Sequence, residues 1–230
     1  MTQRQGTVLP YSQHRSRSTG SFLTGLLCFA FCVPAAWVQA ADITPTRTVT
    51  ANGMTVLFLE QHFLPTVEIH ALLKVGSAQD PPDKAGLANL TASLLDEGTL
   101  TRTSRQIAEH IDFVGGSLEA HASEDYTTAS ARVLKKDADL GFALLADMLQ
   151  RPAFHKQEFE RVRTQILGEI VSDDDDPGNV AMRPSRVIFH GTPAGSLLSD
   201  TLNKITVADV QQFHAREYVP NQTILVVVGD

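Results

Sequence analysis

Thr66–Val75 alternates at period two. Val67, Ile69, Ala71, Leu73 and Val75 fall on one face, with Glu68, His70 and Lys74 among the residues of the other. That pattern is a half-buried strand, and it commits the chain to a sheet with one face on a core. Thr46–Thr50 and Met54–Glu60 read as two earlier strands. Between them Ala51-Asn52-Gly53 marks a hairpin, because Asn-Gly tolerates the positive φ of a tight turn. Ser117–Ala122 and Tyr126–Leu134 make another pair around a turn at Glu124-Asp125, and Thr223–Val228 is the last strand.

The segments between the strands carry helical spacing. Gly86–Thr99 places Leu87, Leu90 and Leu94 together, with Asp83 as N-cap after Pro81-Pro82 and Gly98 as stop. Ser104–Phe113 is capped by Thr103 or Ser104 and ended by Gly115-Gly116. Asp137–Gln150 is strongly apolar through Leu140, Phe142, Leu144, Leu145, Met148 and Leu149, and Pro152 closes it. Lys156–Val171 lines up Phe159, Val162, Ile166 and Ile170. Asn179–His190 reads as a helix interrupted at Pro184, and Thr206–Tyr218 as the last helix. Ser77–Lys84 is a loop. Asp173–Asp176 is a solvated acidic loop without the alternating ligands of a calcium site. Strands grouped before and between helices, joined by hairpins rather than regular βαβ units, predict an α+β fold. Its helices pack on one side of a largely antiparallel sheet.

Residues 1–40 read as an export signal. Arg4, Arg15 and Arg17 give a positive start without acids, Phe22–Val38 is apolar, and Val38-Gln39-Ala40 offers a cleavage site. An uncleaved membrane anchor is the alternative. Residues 41–230 are then one domain, with 16 basic against 26 acidic residues and a net charge of −10. This acidity argues against nucleic acid and against anionic membrane surfaces. Cys28 and Cys32 both lie in the apolar leader, so the domain has no thiolate metal site or disulfide framework. An exported domain of this kind suits a bacterial periplasm.

The helix at Gly86–Thr99 has a second face, with Asn89, Ala92, Ser93 and Asp96. Positions i, i+3 and i+4 share a helix face. In H-x-x-E-H that spacing presents two zinc-binding imidazoles and a catalytic carboxylate; here the register reads N-x-x-A-S. No H-x-x-E-H or H-E-x-x-H occurs anywhere. Gln106-x-x-Glu109-His110 has the register with glutamine in place of the first histidine, and it reads as an ordinary outer helix face. His62, His70, His121, His155, His190 and His214 lack ligand spacing, and there is no G-x-S-x-G, P-loop or dinucleotide fingerprint.

Four segments together resemble the insulinase–pitrilysin family of zinc peptidases, the inverted zincins. NGMTVLFLEQHFLPTVEIHALLKVGSAQDPPDKAGLANL is similar to the opening hairpin, third strand and entry to the zinc helix. GTLTRTSRQIAEHIDFVGGSLEAHASEDYTTASARVL, ERVRTQILGEI and TVADVQQFHAREYVPNQTILVVVGD follow in the family's order. The resemblance implies zinc held by two histidines and a distant glutamate, with the motif glutamate activating water. On this chain the ligands fall on Asn89, Ser93 and Glu169, the base on Ala92, and a supporting glutamate on Val162. Only Glu169 keeps its chemistry, so neither a catalytic residue nor bound zinc is expected.

The family generally carries two such domains in tandem, and this chain holds one copy. The expected function is therefore an exported, non-catalytic domain. It binds peptide or pairs with a catalytic insulinase-type subunit or a separate second-half domain. An active zinc metalloendopeptidase with atypical ligands and a truncated remnant are the alternatives.

Overall fold

The computed structural model describes residues 44–174 and 198–230, with side chains for 44–170 and 200–230. The leader at 1–40 and the helix expected at Asn179–His190 lie outside them. No helix among the described residues is long and apolar enough to cross a membrane.

Six strands form one sheet: β1 (Thr46–Val49), β2 (Thr55–Glu60), β3 (Thr66–Leu73), β4 (Ser117–Ala122), β5 (Thr127–Leu134) and β6 (Thr223–Gly229). Their spatial order is β1-β2-β6-β3-β5-β4. Only the β2–β6 pairing is parallel; the other four are antiparallel. The expected α+β class and largely antiparallel sheet are observed. The β1–β2 turn closes with Gly53 at φ 89° and Gly53 N–H donating to Thr50 O at 2.9 Å.

Period two in β3 becomes burial directly. Val67, Ile69, Ala71 and Leu73 are buried, and in register with them lie Ala129, Ala131 and Val133 of β5 and Val227 of β6. This face meets the helices α1 (Leu87–Ala92), α2 (Ser104–Phe113), α3 (Ala138–Gln150), α4 (Lys156–Asp174), α5 (Leu198–Leu202) and α6 (Val207–Glu217). Leu87, Leu90, Leu145, Met148, Phe159 and Phe213 fill the space between them. On the opposite face Arg132 of β5 pairs with Glu68 of β3 at 2.8 Å.

α2 begins as its sequence predicts. Thr103 Oγ1 accepts from Gln106 N–H at 3.2 Å, and Thr103 N–H donates to Gln106 Oε1 at 2.9 Å, a reciprocal capping box. Two helix limits differ from the expectation. The helix read over Gly86–Thr99 ends at Ala92, with Ser93 as C-cap. Leu94 and Leu95 stay buried, but in turns, so their spacing extended the apolar pattern beyond the hydrogen-bonded helix. In α3, Leu144, Leu145 and Met148 go to the closed core, while Phe142 is 38% exposed and lines an open apolar pocket with Val67 and Val227. α4 runs on to Asp174, so the acidic run begins inside a helix rather than in a loop.

Candidate functional site

α1 is six residues long, too short to hold itself as a helix in water. Its N-cap is Gly86 rather than Asp83, at φ 97°, where a side chain other than glycine is strained, and Gly86 has no side chain to cap with. Asp80 does that work from outside the helix. Asp80 Oδ2 accepts from Gly86 N–H at 2.8 Å and Oδ1 from Ala88 N–H at 2.9 Å. The residue is only 5% exposed. Burial pushes its carboxyl up to about 6, against the opposing pull of the N–H groups of Ala88, Gly86 and Leu87.

The same loop is tied down twice more. Thr201 Oγ1 donates to Ala85 O at 2.7 Å, and Lys84 pairs with Asp209 of α6. At its other end α1 closes with Ser93 N–H donating to Asn89 O at 2.9 Å, so Asn89 and Ser93 sit one above the other. Both are half-buried, while Ala92 points into the core at 1% exposure.

Opposite α1 lies α4. Val162 is buried, and Glu169 is exposed and accepts from Gln165 Nε2 at 3.0 Å. A cleft of about 220 Å³ opens between the two helices and β4. Ser93 and Asp96 line one side, Val162, Gln165 and Glu169 the other, and Ala120 of β4 the floor. The structure thus brings Ser93, Val162 and Glu169 to one cleft. Asn89 and Ala92 are not on its lining, the first sitting one turn earlier and the second facing the core.

Glu97 also reaches the cleft, as Asp96 does, though the chain has left the helix by then. Glu97 is held by Arg161 and accepts from Ser104 Oγ at 3.2 Å, and Arg161 also meets Glu158 at 2.8 Å. Burial raises the Asp96 carboxyl, and the charge of Glu97 beside it adds to this. Sequence reasoning singled out Asp96 and Glu169 but missed Glu97 and Gln165. The i, i+4 spacing of Gln165 to Glu169 was the one local signal for the latter.

The donor set decides what such a cleft can hold. Catalytic zinc takes three donors from imidazole, thiolate and carboxylate. Asn89 supplies a neutral amide, Ser93 a hydroxyl that would have to lose its proton, and Ala92 no proton acceptor. Of the family's ligand positions only Glu169 keeps a competent donor; Asp96 and Glu97 also line the cleft, but with Glu97 tied to Arg161 they do not complete a set of three with Glu169, so the residues present do not fit the metal. Among the described residues no three His, Cys, Asp or Glu side chains group as a metal site.

The family profile "Insulinase (Peptidase family M16)" matches residues 55–201. The chain belongs to this insulinase family of peptidases. It is 31% identical over 198 residues to an uncharacterized zinc protease of Mycobacterium tuberculosis, covering 83% of this chain and 44% of that protein. A Rickettsia felis protein of the same description is 30% identical over 183 residues, covering 78% of this chain and 44% of its own length. The chain therefore spans about half the length of the curated relatives it matches. Among solved structures, a peptidase M16 inactive domain from Pseudomonas fluorescens superposes with a TM-score of 0.76 at 26% identity, over 82% of this chain and 47% of that one. The periplasmic protease PqqL from Escherichia coli shares the fold, with a TM-score of 0.71 at 22% identity over 82% of this chain and 22% of that one.

Proposed function

We propose that the chain is a non-catalytic insulinase-type domain that holds an extended peptide in the cleft beside β4 and works paired with a second insulinase-type half. One observation carries the reading. The cleft between α1 and α4 is formed, while the positions that would hold and use zinc carry an amide, a methyl and a hydroxyl. General-base help is typically worth about 10²–10⁴-fold, and Ala92 has none to give.

The cleft's setting supports peptide as its ligand. Among the described residues β4 is the edge strand of the sheet, a position at which an extended peptide can add as a further strand, and Ala120 of β4 also lines the cleft. A peptide added along β4 would pass Ser93 and Glu169. Glu97 is already neutralised by Arg161, which leaves Asp96 and Glu169 to favour a cationic side chain. Pairing draws on the relatives, in which the region matched by this chain makes up 44% of the length. The arginine-started apolar leader supports export to a periplasm, or membrane anchoring if it is uncleaved.

Metal analysis of the purified protein at neutral pH tests the central claim. The expected result is zinc well below one per chain and no chelator-sensitive peptidase activity. One tightly held zinc per chain, or peptidase activity lost in Glu169→Gln, overturns it. The second reading, an active zinc metalloendopeptidase with atypical ligands, draws on the description of the relatives as zinc proteases. Co-purification with a protein bearing H-x-x-E-H tests the pairing; a chain that stays monomeric and well folded with no such partner counts against it.

A further inference from the structure

We infer that Asp80 is the positioning residue of this cleft, a buried carboxylate that locks α1 to the β4–β5 turn and so sets where the α1 wall stands over the β4 floor. The inference rests on the peptide-binding reading for its ligand, but its geometry stands alone.

Asp80 is fixed from behind before it grips α1. Its N–H donates to Ser77 O at 3.1 Å, at the end of the short 3₁₀ turn Ser77–Gln79. That turn is pinned to the β4–β5 connection, where Ser77 N–H donates to Ser123 O at 3.0 Å and Ala78 N–H to Glu124 O at 2.9 Å. The approach is close enough that a Cβ on Gly76 would stand 2.5 Å from both Ser123 O and Glu124 O. In front, both carboxylate oxygens are spent on the first turn of α1. The route from β4 to Ser93 is therefore continuous: turn, Asp80, α1, cleft.

No cation among the described residues pairs with Asp80. Lys84 on its own loop is committed to Asp209 of α6. From the end of α6 the half-buried Tyr218 faces it, raised above the usual phenol range by burial and in part by the Asp80 charge. β5 presents the neutral Thr127, whose hydroxyl donates to Val75 O at 2.8 Å.

Protonation near pH 6 places a hydrogen on one of two oxygens that both accept N–H groups, which weakens one stitch to α1 while Asp80 itself stays buried. The lock loosens in acid even though the folded state takes up that proton readily. A merely structural carboxylate would move stability and binding together. Asp80 moves them in opposite directions between about pH 6 and pH 4.

The test uses the full chain and two readouts. Amide exchange at Gly86 and Ala88, with no ligand present, is expected to quicken roughly tenfold from pH 7 to pH 5 after correction for intrinsic rates, while the melting temperature does not fall. In Asp80→Asn the exchange is expected to be already fast at pH 7 and flat with pH, and Asp80→Glu to restore part of the protection. Binding of an extended Lys/Arg-containing peptide is expected to weaken about tenfold over the same range in the wild type only. Unchanged corrected exchange at Gly86 and Ala88 between pH 7 and pH 5 overturns the inference, and needs no variant to fold. If no peptide binds at any pH while those amides respond as expected, the peptide reading fails and the role of Asp80 in setting α1 stands.

Discussion

Asp147 shows how a single buried side chain ties a loop to a helix. It is 1% exposed on α3, and its carboxylate accepts from Thr99 Oγ1 at 2.6 Å and Arg102 NH1 at 2.7 Å. Thr101 also donates to it, and Arg151 stands 2.9 Å away. Burial alone would raise this carboxyl, but the hydrogen bonds from Thr101, Thr99 and Arg102 and the Arg151 charge outweigh it and hold it below the usual range. Asp147→Asn keeps the shape and removes the charge, stranding the two arginines. The expected loss is about 2–3 kcal/mol by urea unfolding. Asp80 differs in having N–H groups and no cation, which is why burial wins there and not here. Neither residue stood out in the sequence. Their hydrogen-bond donors come from six to about fifty positions away, and only the Asp147–Arg151 pair has the local i, i+4 spacing.

At the scale of elements, local pattern and distant partner had separate outcomes. The α2 boundaries, the β4 limits and the β1–β2 turn follow from capping, alternation and Asn-Gly, all decided by near neighbours. The end of α1 does not, because Leu94 and Leu95 satisfy the apolar repeat whether or not the backbone stays helical. Of the candidate site, Ser93 and Glu169 were legible as two sides of one place, while Glu97 is held there by Arg161 of α4 and Ser104 of α2, partners its local sequence does not announce. The link from β4–β5 to α1 depends on the absence of a side chain at Gly76. Gly76→Ala is therefore expected to cost about 2–3 kcal/mol, read by thermal melting, and to shift the amide resonances of Ser77 and Ala78.

At the scale of the whole molecule, Asp80 and Asp147 act on stability from opposite sides of the pH scale. Asp147, held low, contributes fully above about pH 4, and its contribution is lost as acid protonates it below 3.8. Asp80, raised to about 6, costs progressively more as pH climbs from about 4 to 6. Their joint effect is a broad optimum on the acid side of neutrality. Chemical denaturation across pH 3–8 checks it, and Asp80→Asn is expected to flatten the neutral side only. The sheet order has a further consequence. β6 lies between β2 and β3, yet it is translated after every other strand. A nascent chain arrested before Thr223 holds two separate ribbons, β1–β2 and β3–β5–β4, with a gap where their shared neighbour belongs. Closure waits for those seven residues to arrive, wherever the chain folds, and until then both ribbons keep an open edge.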